Sequence, residues 1–299
     1  TPNAVYFEPT YKCNRRCAGC YVAEYNPAVL EEQTVNSVCQ SAHRMGVNYV
    51  AWLGGEPLLP ETADLVLETT KRFPQMTFVV CTNADYIDTR VADRIAKLPN
   101  LIPFISVDGF KETHDKRRGT GSYDNTREAM ALLKERKVML AYQATIMPEN
   151  RGDLTNPKFV QEQIESGCLI GNHSLFINSD PHHSEVRSLT ATEYSSVIRN
   201  LMFLARSMPI YIMSTDFGYL GSSEILKAKG LMAMSVGPGG VIRTERGNVI
   251  VGQIDEDRTL EDIVAQPEVQ GAFVCKLFNN INSPFSRDAR TKIIRDVKI

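Results

Sequence analysis

The stretch AVYFEPTYKCNRRCAGC, residues 4–20, joins a strand-like segment to three closely spaced thiols. AVYFEPT is largely apolar and contains residues that favour strands. The polar loop that follows it holds Cys13, Cys17 and Cys20. Free cysteines are usually buried one at a time, so three of them on a polar loop indicate a metal site rather than core packing. The sequence therefore places a metal-binding loop after the first strand.

Strands and helices alternate along the chain beyond this loop. Helical spacing of apolar residues predicts helices near residues 31–45, 61–73, 87–97, 123–137 and 156–166. Between and after them we predict the buried strands VNYVAWL, TFVVC, LIPFISV, VMLAYQATI and SLFIN. Such alternation is typical of βα units around a parallel sheet. About six units precede residue 180, so we predict an α/β fold with a partial (β/α)6 barrel of the TIM type.

The composition changes after residue 180, and we place the core barrel at residues 1–185 and a small α/β extension at residues 186–299. TATEYSSVIRNLMFLARSM is predicted to form an amphipathic helix. MSVGPGGVIRTERGNVIVGQI is predicted to form a hairpin that turns at Glu245 to Asn248. TLEDIVAQ is predicted to form a short helix capped by Thr259.

Charge and cysteine usage exclude several classes of protein. A net charge of −2 over 299 residues gives no reason to expect a nucleic acid partner. No apolar run is long enough to cross a membrane. Seven cysteines are an odd number for a disulfide framework. Those outside the loop, namely Cys39, Cys81, Cys168 and Cys275, are far apart in the sequence. We therefore expect a reducing, cytoplasmic location.

The number of thiols on the loop narrows the kind of metal site. A structural zinc site usually takes four ligands, commonly as two separated C-x2-C pairs, and the chain has no second pair. Three thiolates instead suit a [4Fe–4S] cluster with one iron left open for a molecule that is not protein. Zinc binding and a plain structural role are the alternatives.

The spacing C-x3-C-x2-C after a first strand resembles the radical S-adenosylmethionine (radical SAM) superfamily. The resemblance implies that Cys13, Cys17 and Cys20 hold one [4Fe–4S] cluster and that SAM binds its open iron. It further implies that an electron from the cluster cleaves SAM to methionine and a 5′-deoxyadenosyl radical, which takes a hydrogen atom from the substrate. The electron would come from an external reductant of the flavodoxin or ferredoxin type.

Two short segments carry the resemblance further. GGEPLL, beginning at Gly54, resembles the glycine-rich motif that holds the methionine amino group of SAM, which implies cofactor contacts by Gly54, Gly55 and Glu56. Glycine at these positions permits close approach of the backbone. CTNADYI resembles a Thr-Asn-Gly turn, with Asn83 at the asparagine and Ala84 in place of glycine.

The segment ISVDGFKETHDKRRGTGSYDN resembles that of peptide-modifying and sulfatase-maturing members of the superfamily. This implies that Ser106 contacts SAM, that Asp108 supports the end of the strand, and that Arg118 contacts SAM. We interpret Arg117 as a solvated neighbour. In the strand SLFIN, the backbone at Ser174 or Leu175 is implied to contact adenine.

The chain also departs from the superfamily pattern. Gly19 precedes the third cysteine where an aromatic residue is usual, and we expect Tyr21 to cover the adenine instead. The C-terminal hairpin resembles SPASM or twitch domains, whose cysteines bind auxiliary clusters. Here Met234 or Ser235, together with Thr244, replace those cysteines, and only Cys275 remains in this part of the chain. We therefore predict a member that has lost its auxiliary cluster.

For the substrate, the nearest resemblance predicts a ribosomally made peptide. A small molecule such as a sugar, nucleoside or lipid precursor is the alternative. An iron–sulfur electron carrier or scaffold protein is a further alternative, but it would need no SAM pocket. Asp216 in MSTDFGYL is a candidate catalytic acid, with a plain turn residue as the competing interpretation.

Overall fold

The apolar runs of the sequence form strands of one open sheet. The computed structural model describes residues 2, 4–22, 25–176, 186–214, 233–244, 250–255, 257–266 and 269. Its strands are β1 (Ala4–Phe7), β2 (Tyr49–Trp52), β3 (Thr77–Thr82), β4 (Leu101–Ser106), β5 (Leu140–Ile146), β6 (Cys168–Leu175), β7 (Tyr211–Ser214), β8 (Ala233–Gly237), β9 (Val241–Thr244) and β10 (Ile250–Gln253). Their order across the sheet is β10-β9-β8-β1-β2-β3-β4-β5-β6-β7.

The sheet confirms the predicted partial barrel. From β8 through β1 to β7, neighbouring strands pair in parallel. Strand β9 pairs antiparallel with both β8 and β10. Within the described residues β7 and β10 are the two edges, so the sheet does not close. All carboxyl ends of the parallel strands therefore lie at one rim, where loops of such folds carry chemistry.

Helices connect the parallel strands. They are α1 (Glu32–Arg44), α2 (Ala63–Arg72), α3 (Thr89–Ile95), α4 (Lys111–Arg118), α5 (Ser122–Glu135), α6 (Arg151–Leu154), α7 (Pro157–Glu165), α8 (Ala191–Ser207) and α9 (Leu260–Val264), with a short 3₁₀ turn at Pro238–Gly240. Thr259 caps α9 as predicted, and Thr190 caps α8 in the same way. Each threonine accepts from the backbone N–H three residues on, and the acid there bonds back to the cap backbone.

Side chains alternate between the two faces of the sheet, and each face carries its own apolar cluster. The outer face packs against the helices, and its aromatic centre includes Phe7 and Trp52, whose rings stack with centroids 4.9 Å apart. A smaller cluster on the inner face consists of Ala51, Val79, Phe104 and Ala141. Polar side chains that share the inner face therefore point toward the space that the sheet encloses.

Strand β6 differs from its prediction. SLFIN was expected to be the strand, but β6 begins at Cys168 and ends at Leu175. Gly171 explains the difference, because a Cβ atom there would lie 2.5 Å from the ring and hydroxyl of Tyr142 on β5. A glycine that lowers strand propensity is thus required by packing against the neighbouring strand.

The segment beyond residue 186 adds strands to the same sheet. Strand β7 follows β6, and β8 pairs with β1 in register Val5 with Met234. The predicted hairpin is present as β9 and β10, while its turn at Glu245 to Asn248 lies outside the described residues. A second hairpin, β8–β9, was not predicted. The division at residue 185 stays a prediction.

No helix in the described part of the chain is both long and apolar enough to cross a membrane.

Candidate active site at the carboxyl ends of the strands

The cysteine loop leaves β1 at the rim of the sheet. Cys13, Cys17 and Cys20 are free and partly exposed. The backbone N–H of Arg15 donates to Cys13 Sγ over 3.4 Å, and Cys20 N–H donates to the Cys17 carbonyl over 3.1 Å. The pKa of Cys13 is raised to about 11, mainly by burial, with smaller contributions from the charges of Glu56 and of the other two thiols and against the Arg15 hydrogen bond. The Cys13 thiol is therefore protonated at pH 7 in the absence of a metal, and metal binding would release its proton.

The glycine-rich segment after β2 packs directly on this loop. Gly55 N–H donates to the Thr10 carbonyl and Glu56 N–H to the Lys12 carbonyl, each over 2.9 Å. A Cβ atom would lie 2.5 Å from the Thr10 oxygen at Gly54 and 1.9 Å from the Lys12 oxygen at Gly55. Both distances are too short for any side chain. These glycines are therefore required by the approach of the cysteine loop.

Glu56 joins the turns that follow β2 and β3. Its buried carboxylate accepts hydrogen bonds from Leu58 N–H at 2.9 Å, Thr82 Oγ1 at 2.8 Å and Asn83 N–H at 2.8 Å. Burial raises the pKa of Glu56 to about 7, although these donors oppose the shift. Glu56 therefore fixes the position of the Asn83 turn relative to the glycine segment.

The Asn83 turn in turn contacts the cysteine loop. Asn83 Nδ2 donates to Asn14 Oδ1 over 2.9 Å and lies 3.9 Å from Cys13 Sγ. Ala84 has a φ of 69°, in the left-handed region that glycine adopts more readily. The turn geometry implied by the resemblance is thus present even though alanine replaces glycine.

Asp85 is a site residue that sequence reasoning missed. Its carboxylate accepts from Arg15 Nη2 at 2.5 Å, from Asn14 Nδ2 at 2.6 Å and from Asn125 Nδ2 at 3.1 Å. Although burial opposes it, the Arg15 hydrogen bond and the other donors lower the pKa of Asp85. The ionised carboxylate ties the cysteine loop to the turn after β3. The polar pattern around Asn14 and Arg15 was the available signal, and it was interpreted only as loop polarity.

Asp108 follows β4 and is fully buried. One carboxylate oxygen accepts from Arg117 Nη1 and Arg118 Nε, and the other accepts from Thr145 N–H at 2.9 Å. Burial opposes ionisation, but the two guanidinium groups hold the pKa of Asp108 well below its usual range. The interpretation of Arg117 as a solvated residue is wrong, because its side chain is 11% exposed and paired with a buried charge.

The two arginines differ in what else they contact. The Arg117 backbone carbonyl accepts from Ala18 N–H at 3.0 Å, and its Nε donates to the Ala18 carbonyl at 3.3 Å. Arg117 thus holds the loop between the second and third cysteines. Arg118 lies near the thiols. Burial lowers the pKa of Arg118, but the charge of Asp108 raises it, and the charges of Cys17 and Cys20 add to the rise. Its side chain is 12% exposed.

His114 on α4 stabilises the turn that follows β4 and carries Asp108. Its Nδ1 accepts from Asp108 N–H at 3.2 Å and its Nε2 lies 3.0 Å from Ser122 Oγ. Burial lowers the pKa of His114 to about 4, so the ring is neutral at pH 7. From the sequence, this histidine of the His-Asp pair was expected to have no special role.

Tyr21 contacts the glycine segment directly. Its hydroxyl accepts from Gly54 N–H at 2.8 Å and lies 3.1 Å from the Gly54 carbonyl. Gly19, beside it, has a φ of 66°, and a Cβ atom there would lie 2.7 Å from the Phe176 ring. The absence of the usual aromatic residue before Cys20 is thus explained by Phe176, which fills that space. The predicted contact of Tyr21 with adenine stays a prediction.

The remaining predicted residues occupy separate positions. Ser106 is the last residue of β4, as expected, and pairs with Gln143. Leu175 is the last residue of β6 and pairs with Ile146. Asp216 lies outside the described residues. The structure therefore brings together the loop cysteines with Gly54, Gly55, Glu56, Asn83, Asp108 and Arg118, while Ser106 and Leu175 end the two strands on either side of β5.

The donor set fits an iron–sulfur cluster. Three free thiols lie on one loop, and the backbone N–H of Arg15 donates to the sulfur of Cys13; clusters of this kind use cysteine ligands whose sulfur atoms accept hydrogen bonds. Across the described ranges, no three Cys, His, Asp or Glu side chains converge as ligands of a single metal ion.

Comparison with known sequences gives the family context. The profile of the Radical SAM superfamily matches residues 7–156. Pre-heme d1 synthase of Dinoroseobacter shibae is 28% identical over 156 residues, which are 50% of this chain and 38% of that protein. Fe-coproporphyrin III synthase of Methanosarcina barkeri is 26% identical over 199 residues, 61% of this chain and 48% of that protein. The chain thus spans less than half the length of these relatives.

A third relative and two solved structures carry the names of peptide-related proteins. The sporulation killing factor maturation protein SkfB of Bacillus subtilis is 26% identical over 56% of this chain and 41% of that protein. Streptococcus suis SuiB bound to the precursor peptide SuiA superposes with a TM-score of 0.76 at 15% identity, over 94% of this chain and 68% of that one. The protein anSMEcpe with AdoMet and the Cp18Cys peptide gives 0.76 at 16% identity, over 99% and 96%. At these identities the likeness is one of fold.

Proposed function

The chain belongs to the radical SAM superfamily, and on that premise we propose that it cleaves SAM reductively and removes a hydrogen atom from a carbon of a peptide. The cofactors are those of the superfamily, one [4Fe–4S] cluster and SAM. When bound, they supply an electron and a 5′-deoxyadenosyl radical, which takes the hydrogen atom. The observation that carries the proposal is the cysteine loop, which is held at the rim by turns from three strands.

The residues of this chain have distinct tasks in the proposal. Cys13, Cys17 and Cys20 hold the cluster and leave one iron open. Arg118, held near the thiols by Asp108, is suited to bind the carboxylate or a ribose oxygen of SAM. Ser106, Asn83, the glycine segment and the backbone at Leu175 are proposed to complete the SAM pocket.

A second set of residues orients the cysteine loop. Arg15, Asp85 and Arg117 bond the loop to the turns after β3 and β4. A loop that charge-assisted hydrogen bonds already hold in place loses little further conformational freedom when the cluster and SAM bind. Precise positioning of reacting groups accounts for a large share of enzymatic rate enhancement. These contacts therefore serve the radical chemistry by fixing the loop before SAM arrives.

The peptide substrate is supported by names and by fold. SuiB was solved with a precursor peptide, anSMEcpe with the Cp18Cys peptide, and SkfB is named for maturation of a killing factor. A tetrapyrrole is the second candidate, because the names of two sequence relatives refer to haem d1 and Fe-coproporphyrin III. As a small-molecule substrate, a tetrapyrrole would take the place of the sugar, nucleoside or lipid precursor considered from the sequence.

The substrate is tested by incubating the anaerobically reconstituted chain with SAM, dithionite and either class of compound. The peptide arm uses short peptides encoded beside the gene, and the other arm uses an iron coproporphyrin. We expect a peptide to increase 5′-deoxyadenosine formation at least severalfold and to change in mass or in stereochemistry. An increase with the porphyrin alone would contradict the peptide assignment.

We also propose an external flavodoxin or ferredoxin as reductant and a cytoplasmic location, where the thiols stay reduced.

A further inference from the structure

One thiol on the inner face of the sheet takes no part in the cysteine loop. Cys81 on β3 packs with the inner cluster that contains Val79 and Phe104. Cys39 and Cys168 belong instead to the core between the sheet and the helices. Among the described cysteines outside the loop, Cys81 is therefore the one that faces the enclosed space.

Cys81 lies directly beneath the cysteine loop. Asn83, two residues further along the chain, has its Nδ2 atom 3.9 Å from Cys13 Sγ. Two residues of extended chain span about 6.6 Å, and side chains two apart point to the same face. The thiol is thus roughly one strand repeat below the loop. A carbon that reacts beneath a cofactor at the rim must occupy this depth of the sheet.

The thiol is part of a polar layer. Cys81 Sγ donates to Gln143 Oε1 on β5 over 3.0 Å. Gln143 pairs with Ser106 on β4 and with Asn172 on β6, so all of these side chains share the inner face. Ser106, Gln143 and Asn172 are therefore in register on three consecutive strands, and Cys81, which pairs with Phe104, lies one repeat lower and reaches up to Gln143.

Asn172 indicates that this level accommodates a ligand. Its side chain is 5% exposed, and its Oδ1 atom has no hydrogen-bond partner in the part of the chain that the structure describes. Buried acceptors are nearly always paired, so an unpaired one requires a donor from elsewhere. Asn172 Oδ1 and the Nε2 group of Gln143 offer one acceptor and one donor on adjacent strands. A peptide amide presents the complementary N–H and C=O groups.

We propose that Cys81 donates a hydrogen atom to a carbon radical on a peptide seated against Gln143 and Asn172, an inference that rests on the proposed function. The S–H bond breaks as a C–H bond forms on the substrate, which leaves a thiyl radical on Cys81. One electron from the flavodoxin- or ferredoxin-type reductant and one proton from solvent restore the thiol.

The balance of this step defines a reaction class. The substrate carbon loses one hydrogen atom and regains another, so its composition is unchanged and only its configuration can differ. Each turnover consumes one SAM and two electrons, one for SAM cleavage and one for the thiyl radical. The class is therefore epimerisation. Burial raises the pKa of Cys81 to about 12, so the thiol keeps the hydrogen that it must donate.

The thiol can be tested without knowing the peptide. The reconstituted full chain is incubated with SAM and dithionite in D₂O, with a phosphine in place of a thiol reductant. Cys81 exchanges to S–D, and in the absence of substrate the 5′-deoxyadenosyl radical takes deuterium from it, because O–D bonds of water are too strong to react. We expect mainly monodeuterated 5′-deoxyadenosine from the wild type. Cys81→Ala and Cys81→Ser should each reduce the deuterated fraction at least tenfold.

Cys168→Ala is the matched control. It removes a buried thiol from the opposite face of the sheet and should retain the wild-type deuterium content. Iron content and the total yield of 5′-deoxyadenosine show that each variant is folded and loaded. Equal deuterium in the wild type and both Cys81 variants would overturn the inference while leaving SAM cleavage intact. Absence of 5′-deoxyadenosine from every protein would overturn the proposed function itself, and the inference with it.

Discussion

Asp108 is the residue through which two arginines with different tasks are fixed. Because Asp108 is buried and ionised, each arginine that it binds is drawn inward and keeps little exposed surface. Arg117 uses the contact to reach the Ala18 backbone in the cysteine loop. Arg118 stays near the thiols. At the scale of single residues, the site is thus divided into a support for the cluster and a support for SAM.

Alanine substitutions should separate these two tasks. Arg118→Ala should weaken SAM binding about ten- to a hundredfold and leave iron content unchanged, because a charge-assisted hydrogen bond is worth ~1.5–3 kcal/mol. Arg117→Ala should instead lower iron content or accelerate iron loss, because it frees the loop between Cys17 and Cys20. SAM affinity and iron per chain are measured side by side. Loss of SAM affinity in Arg117→Ala with full iron content would show that the roles are reversed.

The raised pKa of Glu56 predicts that the free energy of unfolding decreases as the pH rises toward 7. Its pKa rises from 4.5 unfolded to about 7 folded, so its favourable contribution is complete below about pH 4.5 and is lost as the pH rises through 7. In the cluster-free protein, Glu56→Gln should therefore gain stability relative to the wild type between pH 5 and 8. The gain amounts to roughly 3 kcal/mol at most, at about 1.4 kcal/mol per unit.

Urea denaturation of both proteins across this range measures the effect, and the comparison cancels groups that the two proteins share. Glu135→Gln is the control, because that side chain is 77% exposed. A difference between the wild type and Glu56→Gln that stays constant with pH would mean that Glu56 is already ionised in the folded protein across this range, so that its pKa is not raised.

At the scale of elements, the cysteine loop and the glycine segment form one unit. Gly55→Ala would place a Cβ atom 1.9 Å from the Lys12 carbonyl, and backbone on both sides must shift to accommodate it. We expect this variant to retain less than half of the wild-type iron. Gly152→Ala is the matched control, because nothing lies within 4 Å of its Cβ position in α6. It should keep full iron and unfold within about 1 kcal/mol of the wild type. Full iron in Gly55→Ala would contradict the packing argument.

Elements were predicted well where local pattern and tertiary packing agree. Helix α1 begins and ends near its apolar repeat, and α9 follows its threonine cap. Strand β6 was misplaced because Gly171 and Asn172 reduce strand propensity for reasons that lie on β5 and inside the sheet. Tertiary fit overrode local preference there.

The candidate site was predictable only where residues form a recognisable motif. The spacing of the cysteines and of Gly54 to Glu56 identified their segments. Asp85 and His114 were missed because their contacts join segments distant in sequence, 70 residues apart for Arg15 and Asp85. No periodicity or spacing encodes such a contact. The sequence also could not show that Gly55 is required because its backbone packs against the Lys12 carbonyl of the cysteine loop.

At the scale of the whole molecule, the C-terminal strands support the first strand and its loop. Strand β8 covers the open side of β1, so the part of the chain that resembles an extension completes the sheet beneath the cysteine loop. From β9, Arg243 Nη1 donates to the Tyr11 hydroxyl at 2.9 Å, which donates to the buried Glu8 at 2.8 Å. Strands β8 and β9 therefore support the first strand and the loop that carries the cluster cysteines.

The most direct measurement is the anaerobic conversion of SAM by the reconstituted chain with dithionite, with 5′-deoxyadenosine, methionine and iron quantified together. We predict equal amounts of the two products and about four irons per chain, as one [4Fe–4S] cluster requires. Alanine at Cys13, Cys17 or Cys20 should abolish product formation, whereas Cys39→Ala should preserve it. Wild-type product formation by any of the three loop variants, or no 5′-deoxyadenosine from a fully loaded wild type, would contradict the account.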